Sequence, residues 1–496
     1  FVSCLSVNLD EARVITADLW ARRCNLSQIP VHLRQPEAEQ RELHGSWVLK
    51  DRWNIRPADG RVSLKEKFMR HLRPHCVTID PRSATYADEC LRSWIRKGSC
   101  RAVSCAEAAI SFDKKSQRGW PWFMKTLRVP YEYFHEAEEL LADGLRLENA
   151  RRYPGVAGTR PQACGLGRTA SWRGVIGMSM CTNILKKMVY IPVRNKLIKK
   201  TSFSAWVSRA AVDQAVTSML KSRIRWPILS VDFSQFDASL PNDVIRRLFA
   251  TLRFWFQGSD DRLVRFIEEV FCRTGFYVPG DYWEPDSRQG GVPSGSVLTN
   301  LIDSMGNFWC VCYAAHRLGL RILDHLLQGD DGVFCFNGPW DIGALSDVLL
   351  VELGMIMSPK KCFVSDREVH FLQSVHSIDW KIGNMFVGVR PINRFLNGWM
   401  KRLEEEDDSE WGPLLLALRS IQQFDNCSAH PSFRQGLSVL MDIDRDNMVD
   451  AARRLCNNDV SLLVRATRVR SFRAGGISTK VEDLYGSAVV KAILSS

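Results

Sequence analysis

An α+β fold, built on a small antiparallel sheet flanked by helices, is what this 496-residue sequence predicts. Three observations carry that expectation. A short apolar run, Ile228 to Val231, ends at an acid and is followed by a helical pattern. The stretch HLLQGDDGVFCF reads as strand, tight turn and strand. Between the two, a glycine-rich loop opens into a long and largely apolar helix.

The first strand exits at Asp232, and Pro241, Asn242 and Asp243 then open a helix with Val244, Ile245, Leu248 and Phe249 on one side. A carboxylate at the end of a buried strand is held by a rigid element yet faces a cleft. Standing alone, Asp232 would be read as a turn cap. In the hairpin, Gly329 and Gly332 flank Asp330 and Asp331. Adjacent acids at a tip repel each other, and a divalent cation removes that repulsion. A GDD triplet arises by chance in roughly one chain in ten of this length, so its weight comes from its surroundings.

The loop between them contains Gly290, Gly291, Pro293 and Gly295, and its helix is expected from about Ser296. Thr299, Asp303 and Asn307 recur at i, i+4 and i+8 and form one polar stripe. Leu298, Leu301, Ile302, Met305, Phe308 and Trp309 lie on the other faces and should pack inward. An acid inside an apolar helix is costly unless it is partnered. An internal cap or salt bridge is the plain alternative to a functional role for Asp303.

Composition bounds the rest. A chain of this length suggests two or three subdomains around connected cores. A formal net charge of +12 and a pI near 9.1 favour an anionic partner, nucleic acid first and an anionic membrane surface second. Fifteen cysteines without regular spacing fit small buried side chains in a reducing compartment better than a disulfide framework. The cluster His71, His75 and Cys76 lacks a second ligand pair and makes a poor zinc site. No run approaches the ~18 apolar residues of a membrane span. The N-terminus FVSCLSVNLDEARV has no basic region and no initiating Met, so a fragment or a processed product is expected. Residues 186–200, KKMVYIPVRNKLIKK, hold six Lys or Arg and no acid, and suit either a channel lining or a solvated helix face. The acidic run Glu404–Asp408 reads as a solvated helix end or loop.

Taken together, DFSQFD at 232–237, PSGSVLTNLID at 293–303 and GDD at 329–331 resemble motifs A, B and C of viral RNA-dependent RNA polymerases, in the usual order. SQRGWPW at 116–122 resembles motif G, and GRTASWRGVIG at 167–177 the basic motif F. LGMIMSPKK at 353–361 resembles motif D, and FLQS at 371–374 motif E. The combination is far more specific than any one piece. The loop text GVPSGSVLTNLIDS, with Asp303 where the picornavirus-like pattern has Asn, is most similar to partitivirus and picobirnavirus polymerases of double-stranded RNA viruses.

The resemblance implies a right-hand fold of fingers, palm and thumb, with an antiparallel palm sheet flanked by helices. Residues 1–110 would then be an N-terminal extension bridging fingertips and thumb, and 111–225 the fingers. Palm segments at 226–257 and 286–385 would enclose a fingers insertion at 258–285, with the thumb at 386–496. It implies template-directed RNA synthesis from ribonucleoside triphosphates by two-metal-ion nucleotidyl transfer, in viral genome replication and transcription. The metal ligands would be Asp232, Asp330 and, more weakly, Asp331, holding two Mg²⁺ ions with Mn²⁺ as a substitute. Arg168 and Arg173 would bind the triphosphate. Lys361 or its neighbour Lys360 would protonate the leaving pyrophosphate. Asp237, Ser294, Gly295, Thr299 and Asp303 would face the ribose, and Trp120 and Trp122 either stack on a template base or pack in the core. RNA template and product, and in some settings a capsid protein, would be the partners, in the host cytoplasm or inside the virion. A reverse transcriptase typically has a bulky aromatic where Asp237 stands. A non-catalytic RNA-binding or capsid-associated protein explains the charge but not the spaced acids.

Overall fold

The two inner strands of the central sheet, Ile228–Val231 and Asp331–Phe336, are buried on both faces, and their runs of apolar residues match. In the computed structural model, which describes residues 68, 77–112, 119–120, 131–161, 172–222, 226–278, 281–284, 288–391, 412–462, 484 and 486–495, the helices are α1 (Pro81–Arg92), α2 (Cys105–Ile110), α3 (Tyr131–Ala142), α4 (Met180–Leu197), α5 (Arg209–Lys221), α6 (Phe236–Ser239), α7 (Asn242–Trp255), α8 (Asp261–Arg273), α9 (Thr299–Arg317), α10 (Ile342–Leu353), α11 (Gly412–Asp425), α12 (Phe433–Cys456) and α13 (Ala488–Ser495). The strands are β1 (Gly155–Pro161), β2 (Trp172–Gly177), β3 (Ile228–Val231), β4 (Phe276–Val278), β5 (Asp281–Trp283), β6 (Ile322–Gln328), β7 (Asp331–Phe336), β8 (Phe363–Ser365), β9 (Glu368–Phe371) and β10 (Ser374–Ser377).

The central sheet has the order β6-β7-β3-β8, antiparallel throughout. On one face Leu229, Val231, Leu327, Phe334 and Phe336 join the main core with α9. On the other, Ile228, Leu326, Val333 and Cys335 meet Val212, Val216 and Met219 of α5 and Val369 and Phe371 of β9. Side chains two apart point the same way, so one short apolar run serves both cores.

The helix α9 runs through the centre, and every residue from Leu301 to Ala315 is buried. Leu298, Leu301, Ile302, Met305, Phe308 and Trp309 pack inward as expected. The stripe does not face solvent, however: Asp303 is 4% exposed and Asn307 fully buried. The helix also starts at Thr299, because residues 294–298 form turns ahead of it. The segment before the motifs contributes α1, started by Asp80, whose carboxylate accepts from the Ser83 N–H at 2.8 Å. It lies on α9, where Asp88 accepts from the Trp309 indole at 2.7 Å and pairs with Arg247 at 2.9 Å.

A second sheet, β2-β1-β4-β5, joins 155–177 to 276–283, with β1 and β4 parallel. Trp120 stacks on Tyr277 of this sheet at 4.9 Å, so one ring face is already used. Trp122, His71, His75, Cys76 and the Glu404–Asp408 run lie outside the described residues. The C-terminal helices α11, α12 and α13 bury a separate apolar cluster that includes Val375, Val387 and Val389. Among the described residues, all eleven cysteines with an assigned state are free thiols, and no helix is long and apolar enough to cross a membrane.

The basic stretch 186–200 divides. Lys196, Lys199 and Lys200 are exposed, whereas Lys186 is fully buried in α4 and its Nζ has no hydrogen-bond partner among the described residues. Burial first, and the nearby Arg288 guanidinium second, pull its pKa from 10.5 down to about 7. A depressed lysine pKa means that the unfolded chain holds the proton more tightly. The resulting penalty is complete below about pH 7, shrinks between about 7 and 10.5, and vanishes above. Lys186→Met should therefore stabilise the fold by roughly a few kcal/mol at neutral pH, with a smaller gain at pH 9.5. Chemical denaturation at the two pH values checks this; an equal gain at both would assign the effect to packing alone.

Candidate active site

Two carboxylates meet at one end of the central sheet, where β3 ends and β7 begins. Their register pairs Val231 with Gly332, so Asp232 leaves β3 beside the tip of the β6–β7 hairpin. Gln328 and Asp331 close that hairpin around Gly329 and Asp330. Gly329 has φ +65°, the left-handed value that a two-residue turn of type II′ needs at its first central position. Asp330 is half-buried, whereas Asp331 is exposed.

The tip is fastened to α9. Ser304 Oγ accepts from the Gly329 N–H at 2.8 Å and donates to the Asn300 carbonyl at 2.7 Å. Asn307 Nδ2 donates to the carbonyls of Gly329 and Asp330 at 3.3 and 2.8 Å. A Cβ on Gly332 would come within 2.9 Å of that amide, so glycine is needed for the approach. Asp303 lies on the same side of α9: a Cβ built on Gly329 would stand 4.0 Å from the Asp303 Cβ.

Asp232 is bound into the next segment by its backbone. Its N–H reaches Cys362 Sγ at 3.2 Å, and its carbonyl accepts from the Ser358 N–H at 2.9 Å. Lys361 Nζ then stands 4.0 Å from Asp232 Oδ1. The Asp232 side chain is 48% exposed, but partial burial raises its pKa; Lys361 opposes that shift, and the negative charge of Asp330 adds to it. The two acids therefore feel each other across the strand ends. Lys360 is exposed, and the carboxylate contact belongs to Lys361.

The loop before α9 is shaped by its own residues. Thr299 Oγ1 donates to the carbonyls of Pro293 and Ser296, each at 2.7 Å. Ser294 Oγ accepts from the Ile176 N–H of β2 at 2.9 Å. A Cβ on Gly295 would overlap the Ile176 carbonyl oxygen, so no larger residue fits there. Asp237 sits on α6, and its carbonyl accepts from the Val292 N–H at the head of the loop. Arg288, 3% exposed, grips the carbonyls of Gly290 and Gly291 and rests over the Phe276 ring at 4.6 Å. Arg173 is on β2, opposite Arg160 of β1, while Arg168 lies outside the described residues.

Comparison with known proteins decides what this geometry belongs to. A family profile described as "Viral RNA-dependent RNA polymerase" matches residues 172–395, the span that holds β2, the paired acids and the hairpin β9–β10. The "Potential RNA-dependent RNA polymerase" of a human picobirnavirus is 27% identical over 410 residues, covering 79% of this chain and 73% of that protein. The chain is a viral RNA-dependent RNA polymerase. The genome polyprotein of Ljunganvirus 1 is 24% identical over 185 residues, 35% of this chain and 8% of that one. The crystal structure of a human picobirnavirus RNA-dependent RNA polymerase superposes with a TM-score of 0.74 at 18% identity, covering 93% and 87% of the two chains. Its insertion-loop deletion mutant gives 0.75 at 18% identity, covering 99% and 92%. The fold of the polymerase is thus the right-hand fold.

Enzymes of this family generally use divalent metal ions. Among the described residues of the polymerase no group of three or more His, Cys, Asp or Glu is arranged to hold a metal. Asp232 and Asp330 nevertheless suit Mg²⁺, which keeps several waters and takes only one or two protein carboxylates. Sequence reasoning missed Ser304, Arg288 and Asn183, whose amide bonds the loop at Gly295 and Val297. Ser304 and Asn183 act through backbone groups of a distant segment, and Arg288 joins Gly290 and Gly291 to the Phe271 carbonyl; such pairings leave no local periodicity to read. Asn307→Asp would set a carboxylate against two carbonyls at the tip. It should cost about 1–3 kcal/mol of stability and slow single-turnover incorporation; denaturation and rapid-quench assays with both values unchanged would show that the tip is held elsewhere.

Proposed function

We propose that this polymerase copies viral RNA with Asp232 and Asp330 as the ligands of two Mg²⁺ ions, Asp331 serving as a weaker ligand and Mn²⁺ as a substitute. The observation that carries this reading is the register of β3 on β7, which pairs Val231 with Gly332 and so sets Asp232 beside Asp330 at the hairpin tip. Bound there, the ions would activate the primer 3′-hydroxyl and offset charge on the triphosphate and the leaving pyrophosphate. Arg173 and Arg168 pair with the phosphates through guanidinium groups that match phosphate oxygens. Lys361 donates the proton to pyrophosphate, a role supported by its 4.0 Å approach to Asp232.

The sugar is read from the opposite side. Asp237, Asp303, Ser294, Gly295 and Thr299 form the wall that recognises the 2′-hydroxyl. Support comes from the bond between the Asp237 carbonyl and Val292, which draws α6 to the loop, and from Asp303 beside the hairpin tip. We also assign residues 111–225 and 258–285 to the fingers, a division supported by the sheet that β4 and β5 share with β1 and β2. Residues 226–257 and 286–385 are the palm, 386–496 the thumb, and 1–110 the bridging extension. The similarity to a human picobirnavirus protein supports a double-stranded RNA virus as the source. Synthesis would then take place in the host cytoplasm or within a capsid.

Asp232→Ala and Asp330→Ala should abolish primer extension at every Mg²⁺ concentration and leave RNA affinity near wild type, because basic residues supply most of it. Near-normal elongation by either variant would remove the metal assignment. Lys361→Leu should slow single-turnover incorporation about tenfold or more, whereas Lys360→Leu should not; the reverse order would exchange their roles. An unpaired buried polar group costs about 1–3 kcal/mol, or roughly ten- to a hundred-fold in selectivity. Asp237→Ala and Asp303→Ala should each lower the ratio of kcat/KM for ribonucleotide over deoxynucleotide. The double variant should lose less than the product of the two factors, since both act on one hydroxyl. Folded variants with wild-type sugar preference would exclude this wall.

A further inference from the structure

The amide of Asn183 does a task that only an amide performs. Asn183 is 6% exposed and sits near the start of α4, six residues beyond the end of β2. Its Nδ2 donates to the Gly295 carbonyl at 3.1 Å, and its Oδ1 accepts from the Val297 N–H at 3.2 Å. One planar group thus satisfies a donor and an acceptor on either side of Ser296, which needs both functions in one side chain. No other side chain on α4 bonds the loop among the described hydrogen bonds.

Two further contacts show what is joined. Ser294 Oγ takes the Ile176 N–H, and Gly295 lies against the Ile176 carbonyl. The loop is therefore seated on the exit of β2, and Asn183 grips it from the helix that follows. β2 also carries Arg173. The segment assigned to the triphosphate and the loop assigned to the sugar are consequently held at one offset by a single α4 side chain together with Ser294. Outside this grip the loop is tied at its head by Val292 to Asp237 and at its tail by Thr299.

We infer that Asn183 is a positioning residue for the incoming nucleotide: by holding Gly295 and Val297 it fixes the sugar-facing loop against the strand that bears Arg173. The inference rests on the proposed reading of that loop as the 2′-hydroxyl wall. The Asn183 amide is spent on backbone groups of the loop. If it merely supported the fold, its loss would lower stability and leave nucleotide parameters where they are. As a positioning residue it sets where Ser294 stands, so its loss alters KM for the nucleotide and the sugar preference of protein that remains folded.

Single-nucleotide incorporation on a primed RNA template, with Asn183→Leu and Asn183→Asp, tests this. Leucine removes both bonds at similar volume, whereas aspartate keeps the acceptor for Val297 and sets a carboxylate against the Gly295 carbonyl. Should the leucine variant not fold, the aspartate variant alone carries the test. The expected result is a rise in KM for the ribonucleotide of about tenfold, a lower ribo-to-deoxy ratio of kcat/KM, and an unchanged Kd for the template. Asp237→Ala, measured alongside, reads the sugar wall independently. A lower melting temperature with KM and ratio both at wild type would overturn the positioning role, even if Asp237→Ala had lost sugar preference. A raised KM with an unchanged ratio, and no effect of Asp237→Ala on the ratio, would uphold positioning and overturn the sugar wall instead.

Discussion

Asp232 and Asp330 carry like charges, and most of the central architecture is arranged to keep them side by side. A hairpin tip with two acids would spread into solvent if its backbone were free. Here the tip is tied by three hydrogen bonds to Ser304 and Asn307 of α9, all from groups with no net charge. Neutral donors and acceptors fix the backbone without neutralising the carboxylates. The charge stays available to a cation, while the geometry does not depend on one. Partial burial is the main reason that the Asp232 pKa is raised; Lys361 opposes the shift, and the Asp330 charge adds to it.

The same requirement explains why α9 is buried on all sides. A helix that backs the sheet needs an apolar face, which Leu301, Ile302, Met305 and Phe308 provide. A helix that also holds the hairpin tip must bring polar groups into the same interior. Burying Ser304 and Asn307 would be unfavourable without partners, and the tip supplies those partners as backbone groups that need satisfaction themselves. The Ser304 hydroxyl and the Asn307 Nδ2 group both find their partners in the turn.

How much of this the sequence disclosed depends on whether a feature is local. The apolar run Ile228 to Val231, the glycines around Asp330 and Asp331, and the apolar faces of α7 and α9 are written in neighbouring residues, and the structure follows them. The sequence pattern predicts α9 from about Ser296, but the helix starts at Thr299, whose hydroxyl takes the carbonyls of Pro293 and Ser296 and leaves a turn ahead of it. The stripe was recognised, but its direction was not, since periodicity tells which residues share a face and not what covers that face. Lys186 was grouped with a basic run; its neighbours in space are Arg288 and Cys181, more than local pattern can show. Asn183 is one asparagine in a helix, and nothing in MCTNIL points to a loop over a hundred residues later.

Backbone bonds set Lys361, rather than its neighbour Lys360, beside the Asp232 carboxylate. The carbonyl of Ser358 accepts from the N–H groups of both Lys361 and Cys362, which curls the chain into a tight turn before β8. The Cys362 thiol then accepts the N–H of Asp232, so the residue just before Cys362 is carried to the carboxylate on the same strand end. That residue is Lys361. Lys360, one position earlier on the turn, projects into solvent. Because Asp232 also gives its carbonyl to Ser358, and Ser234 bonds Ser358 through paired hydroxyls at 2.6 Å, the lysine is indexed to the acid by backbone geometry at both ends. An exposed ion pair 4.0 Å long contributes little stability by itself. Its position comes from the turn.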